Sequence, residues 1–324
     1  MKTVRLLGIV VLACILALSA VGEGLSAEEK YPARPIQVVI GFQPGDTDNA
    51  LRPFVEKMPE YLGQPMSFVY KPGAAGSVGA GFVAAAKPDG YTIVGTSQSS
   101  IAVVPLTQKG LSYTWESFAP ICFFADVPYL FAVNSKSPWK TIKDFVADAK
   151  KDPGKLSYSS SGTFGLPHIC GEIFAKAAGI KLNYIPSQGT TPAVTAVLGE
   201  HVDGVSSPST PSMPHLKSGA LRALAVFGRE RVKYLPDVPT FSEMGYPVVV
   251  DIIVGILAPK GTPKEVIDTL NLAAKKAIEN NRAFVVDRLD KIGLTLHYAG
   301  PEEYAAALKY NHEMFSKVMK DLIK

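Results

Sequence analysis

Two glycine-bearing turns restrict this chain more than any other feature: Gly41-Phe42-Gln43-Pro44-Gly45-Asp46-Thr47-Asp48 and Ser159-Ser160-Ser161-Gly162-Thr163-Phe164-Gly165. Each follows a short apolar or β-branched run and precedes a helical pattern. Such a turn aims unpaired backbone N–H groups, and the positive end of a helix dipole, at one point. One such point is a weak anion site. Two of them in one chain imply two lobes closing on a single carboxylated ligand.

The segments around the turns alternate between strand and helix. Ile36–Ile40, Met66–Tyr70, Tyr91–Gly95, Leu156–Ser159, Leu182–Ile185, Leu221–Phe227 and Ile252–Ala258 read as strands. A long apolar run, Ile121–Val133, is interrupted by Asp126 and Pro128. Helical patterns cover Asn49–Leu62, with a break near Pro59, then Gly76–Ala86, Thr141–Lys150, Pro167–Ala178, Thr191–Leu198, Pro263–Asn280 and Pro301–Leu322. Repeated β-α units predict an α/β fold, each lobe a mostly parallel sheet flanked by helices. In such sheets ligands bind at the carboxyl ends of the strands, where both turns lie.

The first residues read as a secretory signal. Lys2 and Arg5 precede the apolar run Leu6–Val21, and small residues allow cleavage after Gly22 or Ala27. Residues 1–27 are therefore expected to be removed and the product to be periplasmic. A retained anchor or a lipid on Cys14 are the alternatives the pattern leaves. Beyond this run no other segment is apolar for long enough to span a bilayer. The net charge of +4 comes from scattered Lys and Arg, which speaks against a nucleic-acid partner. Export would permit a disulfide between Cys122 and Cys170. Both sit in apolar or helical surroundings, which favours two buried thiols.

In the first turn, Gly45 permits a tight bend and Thr47 or Asp48 can cap the following helix. Phe42 and Gln43 flank it. Asp46 repels a carboxylate unless the ligand also carries a hydroxyl or ammonium group. In the second turn, Ser160, Ser161, Gly162 and Thr163 offer hydroxyl and amide donors together. His168 and Glu172 follow at i and i+4, on one helix face. They lack a third metal ligand, so a hydrogen-bonded pair, or His168 facing the ligand, is the expectation rather than a metal. Gln98, Gln188, Thr190, Ser206 and Ser207 are further pocket candidates, being polar residues after strand ends or on returning loops. Gly79–Ala84 matches G-x-G-x-x-A but lies within a helix of small residues, which is the wrong context for a dinucleotide. No cofactor is expected, and no nucleophile elbow, zinc-protease motif or C-x-x-C is present.

Taken in order, the motifs resemble the substrate-binding receptors of tripartite tricarboxylate transporters, the Bug-type periplasmic proteins. The resemblance spans nearly all the chain after the signal. Tyr31-Pro32-Ala33-Arg34-Pro35-Ile36 is similar to the family's start. The first turn resembles its P-F-x-x-G-G-x-x-D loop. Lys71-Pro72-Gly73-Ala74-Ala75-Gly76-Ser77-Val78-Gly79 and Pro88-Asp89-Gly90-Tyr91-Thr92 match further motifs. So do the run from Ser160 to Glu172, Leu198–Asp203, Leu235–Thr240 and Leu257–Pro263. The resemblance implies a two-lobed binding protein of type II, with two crossovers as a hinge. The expected lobes are 28–129 plus 254–324, and 130–253. It also implies loops that hold a carboxylate through backbone N–H groups, no catalytic step, a monomer, and integral membrane transporter subunits as partners. Departures bear on the ligand rather than the fold. The first loop is one residue short, Asp46 stands where glycine is usual, Gln43 where proline is usual, and Asp251-Ile252-Ile253 replaces a small polar stretch with Trp. Two rival readings are a sensing module for a membrane signalling partner and a secreted hydrolase using Ser160 or Ser161 with His168.

Overall fold

The β-branched and aromatic runs form eleven strands in a computed structural model that describes residues 30–44, 47–163, 165–250 and 252–322. The expected signal (1–27), Gly45, Asp46 and Asp251 lie outside the described residues. The strands are β1 Ile36–Ile40, β2 Met66–Tyr70, β3 Thr92–Ser97, β4 Phe118–Asp126, β5 Tyr129–Asn134, β6 Ser157–Ser160, β7 Asn183–Pro186, β8 Gly204–Pro208, β9 Leu221–Val226, β10 Ile253–Pro259 and β11 Thr295–Ala299. They form two sheets, ordered β11-β4-β10-β3-β1-β2 and β7-β6-β8-β5-β9. This is a two-lobed α/β fold with helices flanking both sheets.

The sheets are mixed, which corrects the expectation of mostly parallel ones. In the first, β1 runs parallel to β2 and β3, but β10 is antiparallel to β3 and β4, and β11 to β4. In the second, β6 runs parallel to β7 and β8, while β5 is antiparallel to β8 and β9. The cause is the crossovers. β4 ends at Asp126 and β5 starts at Tyr129 in the other sheet, so no helix intervenes to reset direction. The returning segment enters β10 at Ile253. The two crossovers are tied together, because the Val127 N–H donates to the Ile252 carbonyl at 2.7 Å.

The register brings the strand ends to this junction. Ile253 lies beside Asp126, and Val254 beside Ser97 at the end of β3. Across the junction, Leu130 near the start of β5 lies beside Ser207 near the end of β8. The carboxyl ends of the parallel strands in both sheets thus stand on the crossover side.

Apolar side chains fill each lobe. Phe131, Phe145, Tyr158, Phe174, Phe227 and Phe241 are fully buried around the second sheet, and each such ring contributes about 1.5–3 kcal/mol of burial. Cys122 and Cys170 are buried free thiols. The C-terminal helix Pro301–Leu322 serves both cores. Tyr304 and Leu308 pack with Phe123 and Leu257 of the first lobe, whereas Phe315 and Met319 join the cluster of Phe131 and Phe174. Its last turns therefore belong to the second lobe's core, although the sequence assigns 254–324 to the first. A second bridge lies beside the first crossover. The Ser209 hydroxyl donates to the Gly293 carbonyl at 3.2 Å, the Tyr234 hydroxyl donates to the same carbonyl, and Lys233 Nζ lies 3.5 Å from Asp290 Oδ2.

Candidate functional site

The first loop leaves β1 at Gly41 and is held by close backbone approach. A Cβ built at Gly41 would sit 2.6 Å from the Gly76 carbonyl oxygen, so only glycine fits. The segment facing it is strained. Ala74 and Ala75 have φ of +46° and +54°, a left-handed region that costs a residue with a Cβ about 1–2 kcal/mol. They are held there because the Ser100 hydroxyl donates to the Ala75 carbonyl (3.0 Å) and Gln108 Nε2 to that of Ala74 (3.3 Å). Strain of this sort gathers at ligand sites. In the sequence this string stands out only as a family motif.

Phe42 is half-buried and Gln43 exposed. Thr47 and Asp48 open the helix Thr47–Val55, both buried. Asp48 Oδ2 accepts from Arg52 Nη2 at 2.8 Å and from the Tyr70 hydroxyl at 2.9 Å. This oxygen anchors the loop to β2. On the next strand end, Gln98 is fully buried and its Oε1 accepts from Asn311 Nδ2 at 2.9 Å. The C-terminal helix therefore fixes its orientation.

The second loop leaves β6 at Ser160 and bends at Gly162, whose φ of +131° excludes side chains. Ser160 is fully buried, Ser161 half-buried and Thr163 exposed. Ser160 has a neighbour that the sequence did not single out. The Tyr184 hydroxyl lies 3.0 Å from Ser160 Oγ. Burial raises the Tyr184 pKa, and the hydrogen bond with Ser160 opposes the shift. His168 is buried with its ring centroid 3.9 Å from that of Tyr184. Burial pushes the imidazole down to about 4, so it is neutral near pH 7. Glu172 Oε1 stands 3.7 Å from His168 Nε2, too far for the hydrogen bond expected of the pair, and instead accepts from the Tyr158 hydroxyl at 2.7 Å.

Ser206 and Ser207, read from the sequence as pocket residues, are fully buried and internally bonded. Ser206 donates to the Pro167 carbonyl at 2.6 Å, and Ser207 Oγ lies 2.9 Å from Ser212 Oγ. They join β8 to the neighbouring helices and hold the scaffold under the second loop. Gln188 is exposed on the turn after β7, and Thr190 is half-buried at the start of the helix Thr190–Leu198. The structure thus brings Ser160 and His168 against Tyr184, with Gln188 and Thr190 on the adjoining strand end. Among the described residues no group of three or more His, Cys, Asp or Glu could hold a metal ion, and no helix is long and apolar enough to cross a membrane.

Two lobes joined by paired crossovers, with glycine-bent loops at the strand ends beside them, define a solute-binding protein of the periplasmic type. The comparisons give the family. The model described as "Tripartite tricarboxylate transporter family receptor" matches residues 50–322, and the chain belongs to that family. It is 32% identical to the protein BugT of Bordetella pertussis, over 94% of this chain and 93% of that one. It is 33% identical to a protein encoded in the gbd 5′ region of Cupriavidus necator, over 92% and 90%. Among solved structures, one titled as a periplasmic transporter superposes with a TM-score of 0.78 at 38% identity, covering 90% of this chain and 97% of the other. MatC of Rhodopseudomonas palustris, solved with bound malate, gives 0.75 at 26% identity, covering 89% and 100%. A second R. palustris protein, solved with adipate, gives 0.78 at 26% identity, covering 90% and 97%. The family is one of solute-binding receptors rather than enzymes.

Proposed function

We propose that this chain captures a small organic carboxylate between the loop after β1 and the loop after β6, and delivers it to the membrane subunits of a tripartite tricarboxylate transporter. The observation that carries the reading is the second loop, where hydroxyl and amide donors converge at a strand end with no cation among them. Such a loop suits an oxyanion held by hydrogen bonds. The malate and adipate bound by the two R. palustris relatives support the carboxylate class. The mature protein is a periplasmic monomer from which residues 1–27 have been cleaved. Its lobes turn about the paired crossovers, and a ligand drives closure by the difference in its affinity for the two forms. Ser160 is fully buried, which counts against it as a hydrolase nucleophile, a ground that does not extend to the half-buried Ser161.

A thermal-shift screen over mono-, di- and tricarboxylates, malate and adipate included, tests the proposal. A carboxylate at about 100 times its Kd adds about 2.7 kcal/mol of stability. A protein that no carboxylate stabilises, but that neutral solutes do, would overturn it. If Asp46 accepts from a ligand hydroxyl or ammonium group, Asp46→Ala weakens malate and spares adipate. Equal losses for both would remove that role.

A further inference from the structure

We propose that the paired hydroxyls of Ser97 and Ser99, at the end of β3, donate a hydrogen bond to the carboxylate held by the first loop. These two serines, rather than Gln98, are then this strand end's contribution to the pocket. The inference rests on the reading of the first loop as part of a carboxylate site, and it adds a side-chain donor beside that loop's backbone N–H groups.

Strand geometry separates these residues, because successive side chains of a strand point to opposite faces. Gln98 points to the face covered by the C-terminal helix, where Asn311 Nδ2 donates to its Oε1 at 2.9 Å. Gly95 marks the other face. A Cβ there would stand 2.5 Å from Leu51 Cδ1 and 2.9 Å from Val38 Cγ1, so this face lies under the helix Thr47–Val55. Ser97 is two residues further along it. That helix starts beyond the carboxyl end of β1, which runs parallel to β3, and returns over the sheet. Thr47 precedes Leu51 by one helical turn, about 6 Å, and Ser97 lies about 6.6 Å beyond Gly95. The first turn of the helix and the loop before it therefore stand over the Ser97 end of β3. Asp48, in the same turn, has its charge paired already, since its Oδ2 accepts from Arg52 at 2.8 Å and from Tyr70 of β2 at 2.9 Å.

The segment after β3 brings Ser99 back onto Ser97. Residues Ser99–Val103 form one turn of π-helix, a wide turn that is rare in proteins and frequent at functional sites. It is held from outside: the Tyr113 hydroxyl donates to the Ser100 carbonyl at 2.7 Å, and His312 Nδ1 lies 3.0 Å from the Ala102 carbonyl oxygen. Ser100 is occupied as well, its hydroxyl donating at 3.0 Å to the carbonyl of Ala75, in the strained segment that faces the first loop. Ser97 Oγ and Ser99 Oγ lie 2.6 Å apart on half-buried residues. Among the described residues neither hydroxyl has a further partner. Two hydroxyls carry two protons, of which one serves the pair and the other is left to donate outward. Hydrogen bonds in a chain polarise one another, which strengthens that outward donor.

Two variants of the full chain test this. The double variant Ser97→Ala, Ser99→Ala removes both hydroxyls. The probe is the acid that stabilises the wild type most in the thermal-shift screen, malate and adipate being among those tried. Its Kd, by calorimetry, is expected to rise about tenfold, as for one lost hydrogen bond to a charged group, while the ligand-free melting temperature stays that of the wild type. In Ser99→Cys the new thiol is distinguished from Cys122 and Cys170, which are buried. It is expected to react with a small thiosulfonate reagent in the ligand-free protein and to be protected by a saturating concentration of the same acid. Wild-type affinity in the double variant overturns the proposal. So does a thiol that the acid fails to protect, or one that never reacts. If the double variant binds weakly but also melts lower, the thiol decides: protection upholds the proposal and its absence overturns it. If no acid in the screen stabilises the wild type, the carboxylate reading itself fails, whereas an acid that binds wild type and double variant alike removes only the serine pair from the pocket.

Discussion

His168 turns a buried ring into a measurable dependence of stability on pH. The residue is 7% exposed, and burial lowers its pKa from 6.5 to about 4. Glu172, 3.7 Å away, favours the charged form, but desolvation wins. The unfolded chain therefore binds this proton more tightly than the folded one, and stability rises with pH across the window. The contribution is complete above about pH 6.5 and is lost as pH falls toward about 4. At about 1.4 kcal/mol per pH unit its upper limit is about 3.4 kcal/mol, and about 2 kcal/mol of this is gone by about pH 5. The assay is urea unfolding at pH 7 and pH 5, followed by Trp139, which lies in the same core cluster as the helix carrying His168. His168→Gln removes the titration. The wild type should lose about 2 kcal/mol more than the variant between these pH values. Groups distant from residue 168 are common to both proteins and cancel in the difference. Equal losses would show that the folded state admits the imidazolium, by solvent entry or by movement of Glu172, and would refute the argument from burial.

Three other outcomes follow from the geometry. Asp48→Asn removes the charge that Arg52 and Tyr70 share, at a cost of about 1–2 kcal/mol once the partial exposure of Arg52 is discounted, or several degrees of melting temperature. Full stability with abolished ligand binding would instead place Asp48 in the pocket. Tyr234→Phe combined with Lys233→Ala cuts two of the three links from the second lobe to Gly293 and Asp290. The ligand-free protein should then show a larger radius of gyration in X-ray scattering, and an unchanged profile means that these contacts do not set the angle between the lobes. Cys122 and Cys170 should resist a thiol reagent in the native protein and react together in denaturant without reductant. A disulfide-linked product would contradict their separation.

The sequence shows most clearly those elements whose physics is local. Ile36–Ile40 and Met66–Tyr70 are β-branched or aromatic and become adjacent strands. Pro59 acts as its chemistry requires, since the first helix ends at Val55 and a new one starts at Pro59, whereas Pro53 is carried inside the first helix. What escapes is decided by tertiary partners. The strand Gly204–Pro208 has no apolar pattern, because Ser206 and Ser207 are buried against the Pro167 carbonyl and the Ser212 hydroxyl. β11 is a short edge strand with a bulged register against β4 and little local signal. The sheet directions depend on where the crossovers lie, which no single segment encodes. In the site, glycine and serine clustering draws the eye to the loop Ser159–Gly165. Nothing in Asn183-Tyr184-Ile185 distinguishes a tyrosine that meets Ser160 and His168 from one that fills a core.

The shared helix at the carboxyl terminus has a consequence for how the chain is made. Phe315 and Met319 complete a hydrophobic cluster whose other members begin near Val103. That cluster stays open to water until the final turns are synthesised. Cutting the chain before Phe315 would spare every strand of the second sheet and still leave its interior unfinished, so the turns carrying Phe315 and Met319 decide when the nascent molecule can commit to its native shape.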